Sequence, residues 1–214
     1  MNVTLIGAGN MGRGIGYRLM AGGHAVTVID TNAEAAEKLA AELKGVAKKG
    51  ATVKTAAIDS TVLGDVVILA VWYTAGKQVV EQLGKKLAGK TVVDISNPLN
   101  ATYDGLGIPA DTSWPEELAK VAPAGTKLVK AFNTTFAGTL VAGNAAGQTL
   151  DVFIAGDDEA AKKTVAQLVS DGGLTPVDVG PLQRARQLEG MGLLGITLQG
   201  PHNLNWASGW RLVH

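Results

Sequence analysis

The sequence predicts a doubly wound α/β fold on a mostly parallel sheet. Apolar runs of strand length alternate with helical patterns from the first residues onward, the pattern of a sheet with crossover helices. Val66–Val71 is apolar at every position, as in a strand covered on both faces. The first strand runs directly into a glycine-rich turn and then a helix.

Val3–Ile6 reads as a buried strand and Met11–Met20 as the helix behind it; Ala25–Ile29 is the second strand. Ala33–Leu43 is rich in Ala, Glu, Lys and Leu, all strong helix formers. A short strand is expected near Ala51–Lys54, then Val66–Val71, a helix over Thr74–Leu87 and a strand at Thr91–Ile95. Asn97–Ser113 carries Pro98, Gly105, Gly107 and Pro109 and reads as a long loop at the carboxyl edge, where loops carry function. Pro115–Val121 is a short helix, and Lys127–Phe132 and Val152–Ala155 are strands. Asp157–Ser170 opens with acidic residues, as a helix N-terminus prefers. Thr175–Val179 is a late strand, and Leu182–Leu198 a final helix before a tail with two tryptophans. The chain therefore divides into a dinucleotide-binding domain, residues 1–180, and a C-terminal helix and tail, residues 181–214, packing on the cleft or on a dimer partner.

The 214 residues suffice for one α/β domain with an appendage. With Cys 0, disulfides, thiolate metal sites and cysteine nucleophiles are excluded. Lys+Arg 19 balances Asp+Glu 19, which gives no electrostatic case for nucleic acid or an anionic membrane. No apolar run approaches the roughly 18 residues of a membrane span. Met1-Asn2 leads into the first strand without the basic flank of a targeting segment. A cytoplasmic protein is expected.

The turn after the first strand is Gly7-Ala8-Gly9-Asn10-Met11-Gly12, a G-x-G-x-x-G in its proper strand–turn–helix setting. Gly7 permits the tight turn, Gly9 lets a pyrophosphate approach the backbone, and Gly12 lets helix and strand pack closely. The helix N-terminus offers unpaired N–H groups to phosphate. The second strand ends at Asp30, about 20 residues further on, where an acidic residue hydrogen-bonds the adenosine ribose. A carboxylate there repels a 2′-phosphate, and Thr31 and Asn32 are neutral. The residues alone thus favour NAD over NADP, with Lys38 and Lys54 as cations within reach. The alternative role for Asp30 is a helix N-cap.

Several further segments resemble the F-420-dependent NADP oxidoreductases. They are Gly7–Gly12, Gly23-His24, Leu69-Ala70-Val71, Asp94-Ile95-Ser96-Asn97-Pro98-Leu99, Val129-Lys130-Ala131-Phe132-Asn133-Thr134, Phe153-Ile154-Ala155-Gly156-Asp157-Asp158 and Arg184–Leu188. The sequence is also similar to the nucleotide-binding oxidoreductase domain of the Steap ferric reductases. The resemblance implies a Rossmann domain with a small helical C-terminal part, in which a nicotinamide ring faces a deazaflavin (coenzyme F-420) or flavin. It implies that Val71 and Trp72 flank the dinucleotide, and that Asn97, Pro98, Phe132 and Asn133 approach the nicotinamide end. It also implies NADP, through a Ser-Arg type pair that binds the 2′-phosphate. Here Asp30-Thr31 stands in that place.

Among candidate proton donors, His24 precedes a strand and reads as structural, and His214 is the last residue. His202, near Asn203 and Asn205, is the remaining candidate. Ser96 and Ser208 lack the setting of a hydrolase nucleophile, and Lys130, at a strand end, can point outward. Hydride exchange between two stacked rings needs less from side chains than reduction of a carbonyl or imine. A flavin-type acceptor is therefore expected. The alternatives are a reductase of a small carbonyl or imine and a dinucleotide-binding sensor or partner subunit without turnover. The final helix, apolar nearly all round, suggests a homodimer interface. Trp206 and Trp210 are placed to roof the cleft or to fill an edge groove.

Overall fold

The computed structural model describes residues 1–48, 50–59 and 62–213. Strands β1 (Asn2–Ile6), β2 (Ala25–Ile29), β3 (Thr52–Thr55), β4 (Val66–Leu69), β5 (Thr91–Asp94) and β6 (Lys127–Lys130) form the parallel part of one sheet. Helices α1 (Asn10–Ala21), α2 (Ala33–Gly45), α3 (Tyr73–Leu83) and α4 (Trp114–Ala119) connect or flank them. Then come α5 (Ala137–Ala142) and a hairpin of β7 (Asn144–Ala145) and β8 (Gln148–Thr149). Strand β9 (Asp151–Gly156), α6 (Glu159–Asp171), β10 (Thr175–Gly180) and α7 (Ala185–Thr197) complete the chain. The sheet order is β10-β9-β6-β5-β4-β1-β2-β3. No helix among the described residues is long and apolar enough to cross a membrane.

Side chains alternate between two cores, as the strand period requires. Val3, Leu5, Val66 and Ile68 pack with Ile15, Leu43, Leu140 and Leu168 on one face. Ile6, Val67 and Leu69 pack with Val80, Trp114 and Leu118 on the other. The order in which strands are added reverses between the parallel β1 and β4, so the crevice at their carboxyl ends is the topological switch point where such sheets bind ligands.

The structure corrects the sequence reading in several places. β9 pairs with β6 antiparallel, through Val129↔Gly156 and Lys130↔Ala155. β10 then pairs with β9 parallel across α6. The reversal is made by α5 and the hairpin, which the sequence reading missed. α5 is only six residues long, contains Gly138, and lacks a side-chain cap. The strand expected to reach Val71 ends at Leu69, and the one expected to reach Phe132 ends at Lys130. Phe132 has φ +63 and is 1% exposed, a left-handed turn inside the core. The helix expected over Thr74–Leu87 stops at Leu83, and Gly84–Leu87 is a 3₁₀ turn. The final helix likewise begins as a 3₁₀ turn, Leu182–Arg184.

The largest departure is Lys130, which points inward and is fully buried. Its Nζ lies 2.6 Å from Asp94 Oδ2 on β5 and 2.8 Å from Glu189 Oε1 on α7, and it also donates to the Ser96 carbonyl. Glu189 Oε1 additionally accepts the Trp114 N–H at the start of α4. One cluster thus joins the ends of β5 and β6 to α4 and α7. α7 is accordingly not apolar all round: Glu189 is on its buried side, while Leu194 is half exposed.

Two carboxylates and one ammonium leave this dry site one negative charge in excess unless a proton is kept. Among the described residues Glu189 Oε2 has no hydrogen-bond partner, so a full negative charge on it would be costly. Burial raises the Glu189 carboxyl above its ordinary value, against the pull of Lys130. Burial also opposes charge on Lys130, but attraction to Asp94 and Glu189 outweighs it and raises Lys130.

A carboxyl raised on folding binds its proton more tightly in the native state. Its contribution is therefore lost as pH rises from the ordinary carboxylate value, 4.5, through the raised one. Urea melts should show the wild type losing stability relative to Glu189→Gln over that rise. Lys130→Met, which leaves two buried carboxylates without their cation, should cost about 3–5 kcal/mol. A stability difference between wild type and Glu189→Gln that is flat with pH, or that shifts in favour of the wild type as pH rises, would contradict the assignment.

Candidate functional site

The crevice is built by a backbone that tolerates almost no side chains. Gly7 has φ +109, and a Cβ there would run into the Ala70 carbonyl beyond β4. A Cβ on Gly12 would collide with the Gly7 carbonyl. These two glycines let the first turn of α1 come down onto the ends of β1 and β4. Gly14 performs the same service against Ala137 and Leu140 of α5, and Gly16 against Leu43 of α2.

Gly9 is different. It caps α1 in an extended conformation, is exposed, and a Cβ on it would meet nothing within 4 Å. No side chain caps α1 and no acidic residue lies in its first turn. The helix therefore presents unneutralised N–H groups and its positive end to open space, the arrangement that holds a phosphate. These residues fit a pyrophosphate.

Asp30 stands beside this loop. Its Oδ2 accepts the Ala8 N–H at 2.7 Å, and its Oδ1 accepts the Asn32 N–H at 2.8 Å and, weakly, the Thr31 hydroxyl at 3.4 Å. The cap of α2 is Asn32, whose side chain accepts the Ala35 N–H, so Asp30 is not the N-cap. A carboxylate has about four acceptor positions. Asp30 therefore ties the glycine loop to the end of β2 and keeps acceptor capacity for a ribose hydroxyl.

On the other side of the crevice, Val71 is half buried and Trp72 is 63% exposed. Trp72 meets Tyr103 of the long loop edge-to-face, with ring centroids 6.4 Å apart. Asn97 and Asn133 lie together, and their amides are bonded to each other. Asn133 Nδ2 donates to Asn97 Oδ1 and to the Leu188 carbonyl, and Asn97 Nδ2 donates to the Asn133 carbonyl. Asn133 is 4% exposed, and Pro98 and Phe132 are also buried. Gly192 of α7 sits so close to the Asn97 amide that a Cβ would strike it. These residues form a floor fastened to α7, with their side chains turned into the protein.

His24 is buried, with Nδ1 3.1 Å from the N-terminal nitrogen and Nε2 3.5 Å from Asp171. Burial, then the neighbouring terminal charge, lowers its pKa. His202 lies exposed in a turn of the tail, and His214 is outside the described residues. Trp210 packs against Gly195 with Phe153 and Leu188. Trp206 is 53% exposed, its ring edge-on to Phe136 at 5.3 Å. The tail around it is held by the buried Gln199, which accepts the Trp206 N–H and donates to Ser208 and the Gly195 carbonyl. Gln199 has no motif, and only its position in the fold reveals this role.

Residues 2–98 match the family model described as NADP oxidoreductase, coenzyme F420-dependent. The chain is 34% identical over 191 residues to the metalloreductase STEAP3 of Rattus norvegicus, an alignment that covers 89% of this chain and 36% of the rat protein. It thus spans about a third of that relative's length. It is 26% identical over 202 residues to the F420-dependent NADP reductase of Methanothermobacter thermautotrophicus, covering 88% of this chain and 85% of that one. Among solved structures, a provisionally named F420-dependent NADP reductase from Arthrobacter sp. FB24 superimposes with a TM-score of 0.84 at 27% identity, over 99% of both chains. Residues 2–98 are therefore similar to the F420-dependent NADP oxidoreductases, and the chain has a Rossmann-like fold with a C-terminal helix.

Proposed function

We propose that this chain transfers a hydride between a nicotinamide dinucleotide and a planar, flavin-type acceptor such as coenzyme F420, with NAD(H) preferred over NADP(H). The observation that carries the first part is the open N-terminus of α1 at Gly9, beside the carboxylate of Asp30 at the switch point. The curated and solved relatives named for F420-dependent NADP reduction support the acceptor class.

The bound dinucleotide supplies the hydride chemistry. The first turn of α1 binds its pyrophosphate, and Asp30 orients the adenosine ribose and repels a 2′-phosphate. Val71 and Trp72 flank the site. The floor of Pro98 and the cross-bonded Asn97 and Asn133 keeps water from entering beneath the reacting ring. The ionisable groups under that floor, Asp94, Lys130 and Glu189, are buried and paired with one another, so they are not general acids for a substrate. This suits an acceptor that needs orientation more than proton donation. Trp206, exposed in the C-terminal tail, offers an aromatic face to a second planar ring.

Gly9→Val should fold, because the position is open, and should lose dinucleotide binding measured by calorimetry. A folded Gly9→Val protein with wild-type affinity would remove the site from the glycine loop.

Asp30→Ala should weaken NADH by roughly ten- to a hundredfold, the worth of about 1.5–3 kcal/mol for a charge-assisted hydrogen bond. Asp30→Ser with Thr31→Arg should shift preference toward NADPH. Wild-type preference for NADPH in the same titrations would show that the family's cofactor habit overrides Asp30.

For the second substrate, steady-state kinetics with F420 and a flavin should show Trp206→Ala raising KM while dinucleotide affinity stays put. His202→Ala should lower the rate by less than about tenfold, short of the 10²–10⁴ a general acid supplies. A loss near a thousandfold in His202→Ala, with cofactor binding intact, would favour direct reduction of a carbonyl or imine.

A further inference from the structure

Arg13 was not among the residues singled out by motif, yet it is the cation of α1 nearest the adenosine end of the crevice. It lies one turn inside the helix, and its N–H donates to the Gly9 carbonyl. The face of α1 that meets α2 carries Arg13, Gly16 and Tyr17: Gly16 abuts Leu43, and Arg13 and Tyr17 both bond Glu42. Of these three, Arg13 is closest to the carboxyl edge, where Asp30 and Asn32 join β2 to α2.

Its guanidinium is turned down toward α2. Nε donates to Glu42 Oε1 at 2.7 Å and NH2 lies 2.6 Å from the same oxygen. NH2 also donates to the Tyr17 hydroxyl at 3.3 Å, and the guanidinium lies 5.0 Å from the Tyr17 ring centroid. The Tyr17 hydroxyl donates to Glu42 Oε1 at 2.6 Å. The Glu42 carboxyl is held below its ordinary value by Arg13 first and Tyr17 second. The cluster is partly exposed, with Arg13 and Glu42 side chains 42% and 33% accessible, so the guanidinium is free to leave if it gains a better anion.

We propose that Glu42 is a specificity residue: it holds Arg13 away from the adenosine ribose, so that a 2′-phosphate must compete with a carboxylate for the one α1 cation within reach. This rests on the reading of the glycine loop and Asp30 as the adenosine site. Asp30 disfavours the phosphate directly; Glu42 disfavours it at one remove, by occupying its natural partner. Arginine is the side chain best suited to phosphate, through its planar fork of donors. Glu42 is twelve residues beyond Asp30, outside the usual fingerprint, which explains why motif reading passes over it.

The test is calorimetric binding of NADH and NADPH to wild type, Glu42→Ala, Glu42→Gln, Arg13→Ala and the Glu42→Ala/Arg13→Ala double variant. Glu42→Ala should tighten NADPH about tenfold, the scale of one charge-assisted hydrogen bond, and leave NADH within about twofold. Glu42→Gln, which keeps an acceptor for Arg13 but no charge, should gain less. The double variant should lose the gain. Unchanged NADPH affinity in Glu42→Ala would overturn the proposal, as would a gain that survives removal of Arg13. If wild type and every variant bind neither dinucleotide, or Gly9→Val binds both normally, the site reading fails and the proposal with it. If the site reading holds but Asp30→Ala leaves the NADH-to-NADPH ratio unchanged, the double variant still judges the role of Glu42 by itself.

Discussion

The close approach of α1 to the carboxyl ends of β1 and β4 is the constraint on which the site depends. It exists because Gly7 and Gly12 have no Cβ to strike the Ala70 and Gly7 carbonyls. That approach aims the free N–H groups of α1 at the switch point and brings Ala8 within hydrogen-bond reach of Asp30. The glycines therefore do two kinds of work. Gly7, Gly12, Gly14 and Gly16 are fixed by packing, whereas Gly9 faces open space, where packing does not require a glycine.

A second constraint fixes the opposite wall. The buried Lys130, Asp94 and Glu189 join β5, β6 and α7, and the Asn97–Asn133 pair continues the connection to Leu188 and Gly192. Breaking such a cluster leaves an uncompensated charge in a dry interior, which is far costlier than losing a surface pair. The C-terminal helix is thus bound to the sheet by electrostatics as well as by Leu188 packing on Phe153 and Ala155. The Asn97–Asn133 pair is thus held by buried bonds, whereas the aromatic residues Trp72, Tyr103 and Trp206 are exposed.

Much of this was legible in the sequence, for identifiable reasons. The alternation of strand and helix, and the glycine turn beside Asp30, are local patterns whose physics does not need the rest of the chain. What was missed is long-range. Nothing near Lys130 in sequence reveals that two acids, one 36 residues earlier and one 59 later, converge on it. The antiparallel pairing of β9 with β6 depends on the short, glycine-containing α5, which has no apolar periodicity to announce it. The resemblance points to Asn97 and Asn133, but the commitment of their amides to each other is a tertiary fact. Arg13 and Glu42 were hidden because their pairing crosses from one helix to the next.

The most direct measurement of the central claim is a crystal structure of this chain grown with NAD. The account predicts pyrophosphate density over Gly9 and the first turn of α1, with adenosine ribose hydroxyls donating to Asp30. It also predicts that the Lys130–Asp94–Glu189 cluster remains closed beneath the nicotinamide. Density for the dinucleotide elsewhere on the sheet edge, or a ribose turned away from Asp30, would contradict it.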